Sequence, residues 1–402
     1  MTTEDEIATE VASASPVRRW SMLGVSQGAS LCANVFINGA AFLIPALVGK
    51  HHASLVEAAL LASMPNLGMM LTLIPWGYLL DRVGERIVLT LGLSMTAAAG
   101  FAAASADSMR MVGIFLVLGG MAAASCLAAS GRLVTGWFAE DQRAQVMGIR
   151  QTAQPLGIAV AALVMPELAK RNLSLALLFP AVLCAVAAVA CGFGVHDPPR
   201  PHETKVEFQE LRDLYRKPVL WRIHAASALL MVPQPVVLTF MLIWFIGSHG
   251  MSMVWAGALV GLSQILGALG RVAAGRWSDS IGSRMRPLRI ISVATAVVMM
   301  VLALTDNAGW GFAAVPLMVV ASAIAGDNGL PFTTIPELAG PFWSGWALAT
   351  QNTFERLVVA AAPPLFAVLI VASGYPLAFA VCAIFPLVAL PLVPLHTRGT
   401  RL

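Results

Sequence analysis

The chain has 402 residues, of which 58% are hydrophobic and only 11% are charged. Soluble domains carry about 25% charged residues, so this composition excludes an ordinary soluble globular domain and indicates a helical protein with many membrane segments. The formal net charge of +4 comes from arginines in short polar stretches between the apolar segments. It gives no indication of a nucleic-acid partner.

Twelve windows of about 20 apolar residues, the length that crosses about 30 Å of hydrocarbon, can be placed along the chain. These predicted spans, numbered 1 to 12, are 21–48, 56–80, 87–105, 110–134, 145–166, 173–195, 219–247, 252–277, 288–305, 309–333, 345–372 and 375–395. The sequence therefore predicts an all-α integral membrane protein. Its predicted parts are a tail at 1–20, a six-helix bundle at 21–195, a polar linker at 196–218, a second six-helix bundle at 219–395 and a tail at 396–402.

Lysine and arginine concentrate in alternate connections between these spans. If the N-terminus lies inside, the external loops hold only Lys50, Arg110, Lys170 and Arg171. By the positive-inside rule, both termini and the linker are predicted on the cytoplasmic side of the plasma (inner) membrane.

The five cysteines all lie inside apolar stretches, at Cys32, Cys126, Cys184, Cys191 and Cys382. Their spacing fits neither a metal site nor a disulfide framework. We therefore expect buried small apolar side chains at these positions, and neither a bound metal ion nor another cofactor.

A polar stretch that follows span 2 recurs after span 8. The first copy contains Gly77, Asp81, Arg82, Gly84 and Arg86. The second contains Gly275, Asp279, Gly282 and Arg284, with each shared position 198 residues later. Glycine allows close helix packing and a tight reversal, and an aspartate at the membrane boundary can pair with an arginine or face a helix N-terminus. We expect both stretches to act as gating loops.

This repeated pattern resembles the loop signature of the major facilitator superfamily, which joins the second and third helices and recurs between the eighth and ninth. The resemblance implies twelve helices in two six-helix halves that alternate access to a central site. It implies a small-molecule substrate, protons as the coupling ion, a surrounding lipid bilayer and a functional monomer. The stretch Gly148–Gly157 resembles the cyanate and nitrate/nitrite transporter-like bacterial branches.

Polar side chains fall at matching depth in the two halves, as a parallel repeat around a central pathway predicts. Asn34 aligns with Gln234, and Gln151 with Asn352. The predicted substrate-binding residues are Asn34, Asn38, Arg150, Gln151, Gln234, Gln264, Asn352 and Arg356. The predicted proton-coupling residues are Glu355 and Asp327.

Glu355 and Arg356 lie near the middle of span 11, where an ionisable group is costly and usually functional. Arg356 is the favoured contact for an anionic group, and Glu355 is the favoured proton carrier. The alternative is a structural ion pair with a neighbouring helix. Arg150 is equally compatible with guiding anions and with extending to the membrane boundary. For Asp327, a charge pair with Arg132 or Arg271 is favoured over a proton site.

Three further interpretations concern side chains outside this set. Arg271 is expected to join the second gating loop, and Asn34 has a helix–helix hydrogen bond as its alternative role. His51, His52 and His249 lie in predicted external loops, where a solvated side chain is the expected state.

The favoured function is secondary transport of a small anion, coupled to protons. The alternative is proton-coupled multidrug efflux. Two departures from the superfamily's pattern disfavour it. The fourth helix of the superfamily often carries an arginine before a glycine-rich run, and Phe115–Met121 of span 4 contains none. The repeated glycine pattern that marks antiporters in the fifth helix is retained here only as Gln154–Gly157. No nucleotide-binding glycine loop, metal-ligand spacing or nucleophile motif is present, so we do not expect an enzyme.

Overall fold

The computed structural model describes residues 15–138, 140–197, 216, 218–281, 285–325 and 329–393. Side chains are described over the same ranges except at 16, 135, 136, 140–145, 275, 279, 329–334, 336–346, 348 and 349. All regular elements in these ranges are helices. They are α1 Pro16–Gly39, α2 Ile44–Lys50, α3 Leu55–Val83, α4 Glu85–Ala104, α5 Met109–Trp137, α6 Glu140–Gln151, α7 Ala153–Arg171, α8 Leu173–Gly194, α9 Pro218–Met231, α10 Pro233–Gly247, α11 Met253–Ser280, α12 Met285–Asn307, α13 Gly311–Ala325 and α14 Gly329–Ala389.

Ten helical stretches of the described chain are long and apolar enough to cross a membrane. Nine of them fall on predicted spans 1 to 9 one by one, and the tenth, Thr350–Ala389, covers spans 11 and 12. Gly374 interrupts that stretch with a φ of 81°, which a right-handed helix does not accommodate. In span 10, the described residues include the 15-residue helix α13 and, at 329–333, the start of α14. The all-α membrane fold predicted from the sequence is confirmed.

Three predicted spans are broken, each just before a proline. Proline lacks the N–H that a helix needs and clashes with the carbonyl four residues earlier. Pro45 follows the short 3₁₀ turn Ala40–Leu43 that joins α1 to α2. Pro155 follows the break at Thr152 between α6 and α7, and Pro233 follows the break at Val232 between α9 and α10.

The described helices form two compact units. The first comprises 15–43 and 64–197, and the second comprises 44–63, 216 and 218–393. The predicted bundles differ from these units in one respect, because 44–63 belongs to the second unit, where α2 packs against α10. The predicted division into two bundles of six helices stays a prediction.

Within the first unit, α4 packs against α5 and α8, and α1 packs against α7 and α8. Helices α3 and α5 approach closely through glycine. A Cβ on Gly120 would lie 1.9 Å from the carbonyl oxygen of Pro65, so no larger residue fits there. Thr72 Oγ1 and Trp76 Nε1 both donate to the carbonyl oxygen of Met121, at 2.7 and 2.6 Å. These bonds hold α3 on α5 and fix the position of the first gating loop at the end of α3.

Within the second unit, α14 packs against α9 and α12, and α11 packs against α13. Large apolar side chains face outward in both units; Phe193 is 83% exposed and Phe312 is 84% exposed. Such surfaces suit contact with lipid rather than water. All five cysteines are free thiols. The burial expected of them is found at four positions, whereas Cys32 is half-buried.

Candidate functional site

The first gating loop is a one-residue connection. Helix α3 ends at Val83 and α4 begins at Glu85, so Gly84 alone joins them. Gly84 has a φ of 95°, in the region that glycine adopts without steric penalty. The reversal expected at Gly84 is therefore confirmed. The close packing expected at Gly77 is not found, because a Cβ placed there meets no described atom within 4 Å.

Arg132 of α5 is the centre of a charge cluster at this loop. Its Nη1 donates to Asp81 Oδ1, and its Nε lies 3.1 Å from Glu85 Oε1. The side chain of Glu85 is fully buried, whereas that of Asp81 is 69% exposed. Asp197 adds a third carboxylate within electrostatic range of Glu85. The expected pairing of Asp81 with an arginine is found, but the arginine comes from α5 rather than from the loop.

The two arginines of the loop itself have other contacts. The guanidinium of Arg82 lies 4.4 Å from the ring centroid of Tyr78, a cation–π distance. The backbone N–H of Arg86 donates to Asp197 Oδ1 at 2.8 Å, which satisfies one of the free N–H groups at the start of α4. Trp137 Nε1 donates to the carbonyl oxygen of His196. The start of the predicted linker is thus fastened to the first unit.

The second gating loop lies outside the described residues at Gly282 and Arg284, and outside the described side chains at Gly275 and Asp279. Asp327 also lies outside the described residues. The roles predicted for these five positions stay predictions.

The polar stripe of α1 bonds in two different ways. Asn34 Nδ2 donates to the carbonyl oxygen of Ser30, and Asn38 Nδ2 donates to the backbone and side-chain oxygens of Asn34. These bonds stay within the helix, so the helix–helix bond considered for Asn34 is absent from the described contacts. Gln27 Nε2 instead donates to the Ile149 carbonyl oxygen and to Thr152 Oγ1. These two hydrogen bonds connect α1 to the break between α6 and α7.

Arg150 lies in the last turn of α6, directly before that break, and is half-buried. Its Nη1 donates to Ser130 Oγ and its Nε to Met147 Sδ, both at 3.0 Å. Ser130 is 2% exposed. Both partners are neutral. Gln151, the next residue, is half-buried.

A buried hydrogen-bonded chain runs between α9 and α14 in the second unit. His224 Nδ1 lies 2.6 Å from Gln351 Oε1, and Gln351 Nε2 donates to Glu355 Oε1 at 2.8 Å. The three residues are 1%, 0% and 2% exposed. The amide oxygen of Gln351 can only accept, so His224 Nδ1 carries the proton in this arrangement.

Aromatic rings and positive charges surround this chain. The ring of Phe354 stacks on that of His224, with centroids 6.0 Å apart, and Trp221 contacts both edge-on. Arg356 and Arg271 lie within electrostatic range of Glu355. Arg271, expected at the gating loop, is therefore also a neighbour of Glu355.

The amide side chains predicted to bind substrate in the second unit have different degrees of burial. Gln264 is 8% exposed, and its Nε2 lies within hydrogen-bonding distance of Ser263 Oγ and Ser322 Oγ. Gln234 and Asn352 are half-buried. A substrate-binding role for these residues stays a prediction.

His249 differs from the solvated state expected of it. Its side chain is 17% exposed, with Nε2 3.9 Å from Asp306 Oδ1, and its ring packs on Trp244 at 4.1 Å between centroids. Trp244 Nε1 donates to Asp306 Oδ2. His51 and His52 are exposed, as expected.

Sequence reasoning missed His224 and Gln351. The signal for His224 was available, because an ionisable residue within a predicted span indicates a functional position. Nothing in the sequence pairs it with Gln351, which lies 127 positions away.

Comparisons with known proteins agree with this architecture. A sequence model described as the Major Facilitator Superfamily matches residues 28–363. The chain is 56% identical over 392 residues to the uncharacterized MFS-type transporter Rv2994 of Mycobacterium tuberculosis strain H37Rv. The aligned region covers 95% of this chain and 88% of the relative. It has the same identity and coverage with the uncharacterized MFS-type transporter MT3072 of strain CDC 1551.

Two solved structures share the fold. A bacterial homolog of the human lysosomal transporter Spinster, inward-facing and unoccupied, has a TM-score of 0.75 at 14% identity, over 95% of this chain and 97% of that one. A D-xylose-proton symporter has a TM-score of 0.75 at 17% identity, over 93% of this chain and 98% of that one. At such identities the likeness shows the fold alone. The family model matches most of the chain and the curated relatives are 56% identical to it, so the chain belongs to the major facilitator superfamily and is a multi-pass membrane transporter.

Proposed function

We propose that the protein is a proton-coupled secondary transporter of a small organic or inorganic anion, working by alternating access as a monomer in the inner membrane with both termini cytoplasmic. The observation that carries the proton coupling is the buried chain of His224, Gln351 and Glu355. A carboxylic acid, an amide and an imidazole in direct contact can accept a proton and redistribute hydrogen bonds without water.

Gln351 has two ways to bridge its neighbours. When Glu355 is ionised, the amide nitrogen donates to it and the amide oxygen accepts from His224 Nδ1. When Glu355 binds a proton, its hydroxyl can donate to the amide oxygen once the amide turns over. The amide nitrogen then donates to His224 Nδ1, which favours the tautomer of His224 that carries its proton on Nε2. The protonation state of Glu355 thereby sets the tautomer of His224.

Positive charges beside Glu355 couple the proton to an anion. Arg356 and Arg271 both interact with the Glu355 charge. Neutralising Glu355 removes that negative charge and leaves the guanidinium of Arg356 better able to bind an anion. Proton binding and anion binding therefore promote each other, as symport requires.

The remaining predicted residues complete this proposal. Asn34, Asn38, Arg150, Gln151, Gln234, Gln264 and Asn352 would contact the substrate, and Asp327 is a second candidate for proton binding. The resemblance of Gly148–Gly157 to the cyanate and nitrate/nitrite transporter-like branches supports an anionic substrate.

The test is uptake into proteoliposomes of labelled formate, lactate, benzoate, nitrate and D-xylose, with and without an inward proton gradient. We expect one or more of the anions to accumulate with the gradient. Glu355→Gln should abolish this accumulation and retain exchange of the same anion at equal pH, because exchange needs no net proton movement. Accumulation that survives in Glu355→Gln contradicts the role of Glu355.

A measurement without substrate checks the proton site itself. The infrared carbonyl stretch of a protonated carboxylic acid should appear on acidification of the wild type and be missing from Glu355→Gln. Glu57→Gln, which removes a glutamate from the exposed start of α3, is the matched control and should leave the band unchanged.

Efflux of lipophilic cations is the alternative, and one observation favours it. The aromatic rings of Trp221 and Phe354 lie against His224, and Phe354 directly precedes Glu355 on α14. Aromatic rings attract cations. Drug susceptibility of an efflux-deficient host separates the two functions. Resistance conferred by the wild type and lost in Glu355→Gln, together with no anion uptake, would establish efflux instead.

A further inference from the structure

We propose that Arg150, Ser130 and Gly131 form an anion-binding site of the first unit, in addition to the contact proposed for Arg356, and that it is selective for a small planar oxyanion such as a carboxylate or nitrate. The inference rests on the proposed function only in taking the substrate to be an anion. It goes further in naming an arginine of the first unit that receives an anion and the groups that support it.

Arg150 has no acidic partner in the described part of the chain. Its recorded hydrogen bonds go to Ser130 Oγ and Met147 Sδ, and no described carboxylate lies within ion-pair distance. The acidic positions of the same helix, Glu140 and Asp141, lie nine or more residues away along the axis, about 14 Å. A guanidinium stays charged at every physiological pH. A half-buried charge without a counterion among the described side chains therefore indicates a counterion from outside them.

Nearby acids do not supply that counterion, because they surround another arginine. Asp81 and Glu85 both contact Arg132, which is two residues from Ser130 along α5. The second unit gives Arg356 and Arg271 a carboxylate as well, since both interact with Glu355. Arg150 differs from these arginines in having only neutral partners.

The geometry of the guanidinium leaves one edge available. Nε and Nη1 already donate to Met147 and Ser130, and these two bonds fix the plane of the group. Nη2 has no recorded partner among the described residues, and each Nη carries two hydrogens. The edge formed by Nη1 and Nη2 can therefore make two parallel bonds to a planar oxyanion, the geometry that arginine forms with carboxylate.

Gly131 leaves space beside this group. A Cβ placed on Gly131 would lie 3.9 Å from Arg150 Cζ, with no other described atom as close. Alanine would therefore make ordinary van der Waals contact, whereas valine would extend into the space next to the guanidinium. The chain thus offers a way to block the site without removing its charge.

The test is anion binding to purified protein in a neutral detergent free of phospholipid, measured by calorimetry with formate, benzoate and nitrate. We expect at least one to bind the wild type, and Arg150→Gln to raise its Kd about 10-fold or more, the size of a lost charge-assisted hydrogen bond. Arg150→Lys should also weaken binding, because an ammonium has no planar fork. Arg171→Gln removes an exposed charge from the end of α7 and should leave the Kd unchanged.

Gly131→Val should weaken anion binding as much as Arg150→Gln does, whereas Gly131→Ala should leave it unchanged. This pair of variants keeps the test decisive if Arg150→Gln fails to fold. Equal binding by wild type, Arg150→Gln and Gly131→Val overturns the proposal, as does the absence of binding by all three anions. If phosphatidylglycerol binds through Arg150 and the free anions do not, the occupant is a lipid headgroup and the proposal is wrong.

The anion site and the proton site can fail separately. Anion binding that depends on Arg150 and persists in Glu355→Gln supports the anion site, whatever happens to proton coupling. Proton-driven anion uptake that survives in Arg150→Gln upholds the proposed function and rejects this site.

Discussion

Arg132 and Arg150 belong to the same compact unit, and Arg150 donates to Ser130, which lies two residues before Arg132 on α5. Their electrostatic surroundings are nevertheless opposite. Arg132 has two carboxylates as direct partners, with Asp197 close to one of them. Arg150 has a hydroxyl and a thioether. The difference suggests that the first arginine holds the loop together, and that the second is kept for a charge that arrives from outside the chain.

The largest effect is expected from Arg132→Gln. It would leave the Glu85 carboxylate, which is fully buried, without its cation. Breaking a buried pair in this way costs about 3–5 kcal/mol, and we expect the lower end because the Arg132 side chain remains 31% exposed. Thermal unfolding in detergent should show a clear fall in Tm. An unchanged Tm would mean that the pair with Glu85 contributes nothing.

A double variant sharpens this result. Glu85→Gln with Arg132→Gln removes the orphaned charge, so most of the stability lost in Arg132→Gln should return. Contacting charges typically show coupling of about 0.5–3 kcal/mol. The four proteins of this cycle, compared by the same unfolding measurement, give the coupling directly. Additive losses would show that Arg132 acts through something other than Glu85.

Arg150→Gln should behave oppositely to Arg132→Gln in a stability assay. It leaves no described acid without its cation, and it removes a half-buried charge, which is unfavourable within a membrane by up to about 3 kcal/mol. We therefore expect an unchanged or higher Tm together with lost anion binding. A fall in Tm as large as that of Arg132→Gln would show that the guanidinium is a structural group.

The smallest effect is expected from Asp81→Asn. The Asp81 side chain is 69% exposed, and exposed ion pairs contribute about 0–1 kcal/mol, less in high salt. The Tm should change little, and the change should shrink as salt is added. A large loss that is insensitive to salt would place Asp81 in a different environment from the one described.

The sequence alone predicts most of the fold, because length and apolarity suffice to define membrane spans. Pro155 and Pro233 follow the breaks at Thr152 and Val232, but Pro65, Pro75 and Pro180 lie inside continuous helices, so proline alone does not say where a span breaks. The reversal at Gly84 was predictable because a very short connection needs a residue that tolerates a positive φ, and glycine does.

The candidate sites were less predictable, because they depend on contacts between distant helices. Arg132 was considered as a partner for Asp327, whereas the structure pairs it with Asp81 and Glu85. Hydropathy does not determine how helices rotate about their axes, so it cannot say which arginine meets which acid. The neutral surroundings of Arg150 were unpredictable for the same reason.

The state of the five thiols has a practical consequence for spectroscopy. Four are buried and only Cys32 is half-buried, so a maleimide or nitroxide reagent applied to the folded protein would meet one partly accessible native sulfur. Replacing Cys32 alone should give a background of low reactivity. Pairs of cysteines introduced at exposed positions such as Arg110 and Trp255 could then carry labels, and interspin distances recorded with and without anion would follow the transport cycle.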